Sequence, residues 1–357
     1  MKRICTLCGR TSPDGNLWCQ EKHCPAEKSP EVFEDGEWFA NIEIINLIVI
    51  LRSSAIYVAK RGEEKVLLKI AHEGCQERLK REAMILLAFS KMHHPMLPML
   101  LPAHELGKLS ENPYGKTVVK GETKYFEVFQ YTEGDTLRSM LLKNPQPWYQ
   151  HVGWITLSLA DVMALIHQSN RLHMALSPEM VLVRFDRQQI PRILLLDLGV
   201  ASDAQNLLQT WDRRYVLPAY TAPELIEMKG KVGPATDVYG LGLVLYEMLT
   251  GHPAYEFRQQ RDEVIYNHVL TVPPESTSRV DLKTIPQITE RAISKNYTNR
   301  AKDVISFARE LQAILPRLPK EKKDFRTNWR LVGIVVGSLL ALSLLFVLAI
   351  IWPIPAV

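Results

Sequence analysis

The chain has 357 residues, 46% of them hydrophobic and 23% charged, proportions that bury a core and exclude a disordered polymer or a collagen-like repeat. Its 43 Lys and Arg against 39 Asp and Glu leave a net charge of +4, too small an excess to argue for a nucleic-acid partner. Five cysteines are too few for a disulfide scaffold, yet four of them fall between Cys5 and Cys24.

Starting at the N-terminus, Cys5-x2-Cys8 and Cys19-x4-Cys24 are separated by a stretch holding the turn formers Gly9, Pro13, Asp14 and Gly15. Each short loop folds two sulfurs onto one ion, so residues 1–28 read as a zinc ribbon with Cys5, Cys8, Cys19 and Cys24 around a structural zinc. His23 could replace Cys24 as the fourth ligand. In a reducing compartment zinc is favoured over disulfides. Lys2, Arg3, Arg10 and Lys22 face only Asp14 and Glu21, and Trp18 is the sole aromatic of this segment, a poor surface for tracking phosphates. Protein binding is therefore favoured over nucleic acid. Residues 29–41 read as a linker, and Cys75, far from the others, as a packing residue.

The runs Ile42 to Leu51, Ile56 to Ala59, Lys65 to Ile70 and Tyr125 to Gln130 have strand character, with one helical stretch from Gln76 to Met92 between them. After Gly134 apolar residues recur at helical spacing, through Trp154, Leu157, Ala160, Ala164 and Leu165, then through Val238, Leu241, Val244, Leu245 and Met248. Strands early and helices late predict an α+β fold of two lobes: a small lobe over about 42–130 and a helical one over about 135–315, joined near Tyr131 to Gly134.

Over these residues the chain resembles the protein kinase family, particularly bacterial Ser/Thr kinases. Val66-Leu67-Leu68-Lys69 is similar to the family's V-A-I-K strand, and Arg81-Glu82-Ala83 stands where its helix glutamate belongs. Gln130 to Gly134 resembles the hinge, Asp197-Leu198-Gly199 the D-F-G motif, and Ala222-Pro223-Glu224 is A-P-E. Thr236 to Gly242 and Asn299-Arg300 complete the series. The resemblance implies that Lys69, held by Glu82, meets the phosphates of ATP, and that Asp197 holds Mg²⁺. It also implies architectural roles for Asp237 and for a Glu224–Arg300 pair.

The departures lie where the chemistry should be. Aligning Ile56 to Ala59 on the family pattern puts Val49, Leu51 and Ser54 at the three glycine positions of the phosphate loop, so side chains crowd the phosphates or leave an ordinary hairpin. Aligning His173, Pro178 and Glu179 on H-R-D-x-K-P-E-N puts Ala175 at the catalytic base, Ser177 at the lysine and Met180 at the second metal ligand. A methyl group accepts no proton and a thioether is a poor Mg²⁺ ligand, so no intact catalytic set is expected. Val216-Leu217 also replaces the family's G-T.

Toward the C-terminus, Lys320, Lys322, Lys323, Arg326 and Arg330 make 316–330 a basic collar before 331–351, 21 residues without a charge. At about 1.5 Å per residue that run spans roughly 31 Å, enough for one transmembrane helix, with 352–357 as a short external tail. The basic flank predicts a cytoplasmic N-terminal part. Gly333-x3-Gly337 permits close helix approach and hence a homodimer. The expected function is a membrane-anchored pseudokinase acting as a scaffold or allosteric partner of cytoplasmic or membrane signalling proteins. The alternatives are a Ser/Thr kinase with weak or unusual ATP-dependent transfer, and a zinc-ribbon binding module with a passive kinase-like part.

Overall fold

The computed structural model describes residues 1–319 apart from 7, 13–18, 20, 22–23, 25, 27–28, 146, 204–205, 207–210, 229–231, 259 and 278–283. The basic collar from 320 and the apolar run 331–351 lie outside the described residues. Among those described, no helix is long and apolar enough to cross a membrane.

The chain opens with a three-stranded antiparallel sheet in which β1 (Lys2–Ile4) lies between β2 (Thr11–Ser12) and β3 (Glu31–Val32). Next, β4 (Trp38–Phe39) pairs with β5 (Ile42–Ile50) and so joins the larger sheet. The stretch 29–41, expected as a linker, therefore contributes strands to two sheets. Its Val32, Phe33 and Phe39 share one buried apolar cluster with Tyr57, Leu68 and Phe126. Phe33 meets Phe39 and Tyr57 edge to face at 5.4 and 6.2 Å between ring centres, and its N–H donates to the Tyr57 hydroxyl (3.2 Å). Each such aromatic contributes about 1.5–3 kcal/mol by leaving water. Residues 29–41 are thus packed onto one face of the small lobe, not strung from it.

That lobe is a seven-stranded antiparallel sheet in the order β4-β5-β6-β7-β10-β8, from β6 (Ser54–Arg61), β7 (Glu64–Ala71), β8 (Leu100–Leu101) and β10 (Glu122–Gln130), with β9 (Gly115–Val119) also on β10. Alternation along β6 sends Ala55, Tyr57 and Ala59 to the ribbon-side cluster and Ile56 to the other face. Helix α1 (Gln76–Phe89) buries Leu79, Ala83 and Leu86 at helical spacing, and a single 3₁₀ turn carries it on to Met92.

At the junction of the lobes Gly134 has φ +156°, and a Cβ there would lie 2.7 Å from the Val183 carbonyl oxygen. Only glycine fits this crossing. Beyond it come β11 (Asp135–Thr136), α2 (Leu137–Lys143) and α3 (Tyr149–Gln168), and then the short pairs β12 (Arg171–Leu172) with β15 (Ser202–Asp203) and β13 (Val181–Phe185) with β14 (Pro191–Leu195). The helix Pro234–Thr250 is buried almost all round, as befits the centre of a helical lobe. One apolar cluster runs through the cleft, from Ile56, Leu67 and Phe129 above to Met180, Leu182 and Leu198 below.

Candidate functional site

Strand register builds the site. Ile56 of β6 and Glu127 of β10 both stand opposite Lys69 of β7. Lys69 Nζ donates to Glu82 Oε2 of α1 and to Asp197 Oδ1 (2.9 Å), and each of the three is 1% exposed. The Leu198 N–H donates to Glu82 Oε1 and the Gly199 N–H to Asp197 Oδ1, both at 2.9 Å. The residues expected to meet ATP and Mg²⁺ are therefore together, and they neutralise one another directly.

Burial shapes the charges. Against its desolvating effect, the Lys69 ammonium and the Arg78 guanidinium hold Asp197 down at about 2. Burial pushes Glu82 up to about 7 in spite of Lys69. Glu127 is fully buried, and neither carboxylate oxygen has a hydrogen-bond partner among the described residues. Burial, reinforced by the neighbouring Glu82 charge, raises it well above the usual carboxyl range. Sequence reasoning missed Glu127. Its signal is a lone acid between Phe126 and Val128 in an apolar strand, which acquires meaning only once the register with Lys69 is known.

At the three glycine positions stand Val49, Leu51 and Ser54, and the segment is a tight hairpin: the Leu51 N–H donates to the Ser54 carbonyl (2.8 Å), leaving a two-residue turn, Arg52-Ser53. His72 straps the hairpin, its N–H to the Ser53 carbonyl (2.9 Å) and its Nε2–H to that of Leu51 (3.0 Å). Burial pushes the imidazole down to about 4, so it is neutral there. From the tip, Arg52 reaches across the lobes in a two-pronged pair with Asp262, the first residue of the helix Asp262–Thr271, at 2.5 and 2.9 Å. That contact was not foreseen from the sequence, because its partners are 210 residues apart.

The loop that aligns with the family's catalytic loop is held in shape by its neighbours. Asp237 accepts from the N–H groups of His173 (2.8 Å) and Met174 (2.6 Å), holding Met174 in the left-handed region at φ +59°, and His173 Nε2–H donates to the Asp197 carbonyl (2.9 Å). Ala175, Ser177 and Met180 are all buried, and the Ser177 hydroxyl has no partner among the described residues. Asp186, an acid that follows this loop in the sequence, is engaged by Arg192 and by the N–H groups of Gln188 and Ile190 in the turn between β13 and β14. Elsewhere the architectural pair is present, with Arg300 forked onto Glu224 at 2.8 and 3.0 Å. Arg138 of α2 ties Glu179 and Tyr220 (2.7 Å each) to Glu247.

Comparison with known proteins agrees with this geometry. The protein kinase domain family matches residues 56–323. The chain belongs to that family. Serine/threonine-protein kinase PkaA of Streptomyces coelicolor is 30% identical over 184 residues, 51% of this chain and 33% of PkaA. PknL of Mycobacterium tuberculosis is 28% identical over 198 residues, 54% of this chain and 48% of PknL. The chain spans less than half the length of these curated relatives. The crystal structure of a single-site mutant of the Mycobacterium tuberculosis PknI kinase domain superposes with a TM-score of 0.54 at 19% identity, over 79% of this chain and 99% of that one, a likeness of fold.

A kinase domain implies ATP and Mg²⁺, and this one fits them in part. Asp197 Oδ2 is buried without a hydrogen-bond partner among the described residues, a free position for one divalent ion, with Lys69 beside it for phosphate. The Met180 thioether does not fit as a second magnesium ligand, and Leu51 and Ser54 put buried side chains where phosphates need open backbone N–H groups. The thiols of Cys5, Cys8, Cys19 and Cys24 fit a zinc ion better. Their sulfurs lie within 4.8 Å of one another, with Cys5–Cys24 at 3.6 Å and Cys8–Cys19 at 3.4 Å. Zinc–sulfur bonds of about 2.3 Å give a tetrahedron with edges of about 3.8 Å. His23, the alternative fourth ligand, lies outside the described residues, and Cys24 is the fourth thiol of the cluster. Cys75 is buried apart from this cluster, packed with Ala71 and Leu79.

Proposed function

We propose that the protein is a pseudokinase: a kinase fold used as a scaffold or allosteric partner for signalling proteins, with a zinc ribbon fixed to its small lobe. The observation that carries this reading is the buried Ala175 at the base position, in a loop whose backbone is otherwise held in place by Asp237. Loss of a positioned base removes typically a factor of 10² to 10⁴ in rate, and Met180 compounds it. Full-length protein in detergent, given labelled ATP with Mg²⁺ or Mn²⁺ and a generic protein substrate, is expected to transfer no phosphate. Transfer that disappears in Lys69→Met overturns the proposal. A second reading, nucleotide binding without transfer, is favoured by the free Asp197 Oδ2. Its check is a thermal shift at millimolar ATP with metal, and the absence of a shift removes it.

The same proposal includes membrane anchoring by residues 331–351 with the kinase domain on the cytoplasmic side, and pairing of two copies through Gly333 and Gly337. Membranes washed with alkaline carbonate are expected to retain the full-length protein and to release a variant lacking 331–351. Release of both sinks the anchor.

A further inference from the structure

Outside the Lys69–Asp197 site, a cavity of about 900 Å³ lies where three parts of the chain meet: the N-terminal sheet at Arg3 and Glu31, the small-lobe sheet at Tyr57 and Ile70, and the C-lobe at Arg213–Tyr215 and Tyr266. Small-molecule sites are concave and measure about 300–1,000 Å³, so the size suits a metabolite or nucleotide. The cavity has a division of character. Its floor is apolar, from Phe33, Ala55 and Ile70, while its rim carries guanidinium groups.

The pairing of those groups indicates the ligand's charge. Arg3, Arg52 and Arg214 have carboxylate partners in Glu31, Asp262 and Asp212. Arg213 and Arg261, both on the rim and both exposed, have none among the described residues; over the lining as a whole six Lys and Arg side chains stand with five acids, Glu31, Glu73, Glu122, Asp262 and Glu263, an excess of one positive charge. Behind the wall stands one more guanidinium, whose charge also acts on Asp197. Arg78, only 7% exposed, stacks on the cavity-lining ring of Tyr215 at 4.5 Å, and its Nε and Nη2 donors have no partner among the described residues. Arg52 Nε is in the same state. Buried donors without acceptors, near two arginines that have no carboxylate partner, favour an anion, and guanidinium forks match phosphate oxygens in pairs.

We infer that this cavity binds a phosphate-bearing small molecule, with its phosphate between Arg213 and Arg261 and its organic part against Tyr215. Occupancy bridges the ribbon, the small lobe and the segment that leads to the A-P-E motif. Arg213, Arg261 and Tyr215, which would hold the ligand, are not among the residues around Lys69 and Asp197, so the inference stands or falls separately from the pseudokinase reading.

The test titrates full-length protein in detergent, without divalent metal, with AMP, inorganic pyrophosphate and adenosine, followed by calorimetry. AMP and pyrophosphate are expected to bind and adenosine not. The double variant Arg213→Gln, Arg261→Gln, whose side chains are exposed and support no core, is expected to lose about tenfold or more in affinity. No heat at millimolar ligand, or equal affinity in the double variant, overturns the site; the second result moves AMP to the cleft. A phosphoserine peptide that binds tighter than AMP overturns the small-molecule reading in favour of a docking surface for a partner.

Discussion

Removal of zinc from the full-length protein with a strong chelator is expected to release one ion per chain and to lower the melting temperature of the kinase domain by roughly 5–10 °C. The ion is expected at Cys5, Cys8, Cys19 and Cys24, whose four thiols lie close enough to close one tetrahedron. Structural zinc in small domains contributes an apparent 10–16 kcal/mol or so, and without it a two-pair ribbon has little core of its own. The effect spreads because the ribbon sheet leads directly into the aromatic cover of the small lobe. When β1 and β3 loosen, Val32 and Phe33 leave the cluster with Tyr57 and Leu68, at about 1.5–3 kcal/mol for each large side chain exposed. Calorimetry with a hydrophobic dye reads both consequences, and Cys5→Ser reproduces them. A zinc-free protein with an unchanged melting temperature would show that ribbon and lobe are energetically independent.

Two substitutions around one ammonium are expected to move stability in opposite directions. Lys69→Met leaves Glu82 and Asp197 buried without their counterion, which costs about 3–5 kcal/mol. Glu127→Met removes a buried carboxyl that has no hydrogen-bond partner among the described residues and replaces it with apolar bulk, a stabilising change. The pH dependence follows from the raised position of Glu127. A carboxyl with a higher pKa folded than unfolded binds more protons in the folded state, so its contribution is present below about pH 4.3 and falls as pH rises toward the folded value. The advantage of Glu127→Met over the natural chain is therefore small at pH 5 and larger at pH 8. Urea denaturation at the two pH values measures it. Parallel pH curves for the two proteins would mean that Glu127 is ionised or hydrogen-bonded, contrary to its surroundings here.

Much of the fold was legible because its signals are local. Runs of strand character placed β5, β6, β7 and β10 to within a few residues, and the glycine at 134 marked the crossing between lobes. The union of Lys69, Glu82 and Asp197, with 128 residues between the lysine and the aspartate, was legible only through the kinase resemblance, since no periodicity joins them. What stayed hidden depends on surfaces that exist only after folding. Val32, Phe33 and Phe39 are too few to announce a core segment, and the sheet face that receives them is assembled from strands further along the chain. Glu127 looked like one acid among many until register set it opposite Lys69. Arg52, in a two-residue turn, carried no hint of a partner in another lobe.

The clamp between Arg52 and Asp262 bears on kinetics as well as shape. An enzyme that cycles through nucleotide entry and product release must open and reclose its cleft at every turnover, and a forked ion pair joining the two lobes opposes each opening. For a binding platform the same clamp is an advantage. When the competent arrangement of the lobes is already the dominant one, a partner whose footprint straddles both meets its surface ready-made, and its apparent affinity is not diluted by a large population of open forms.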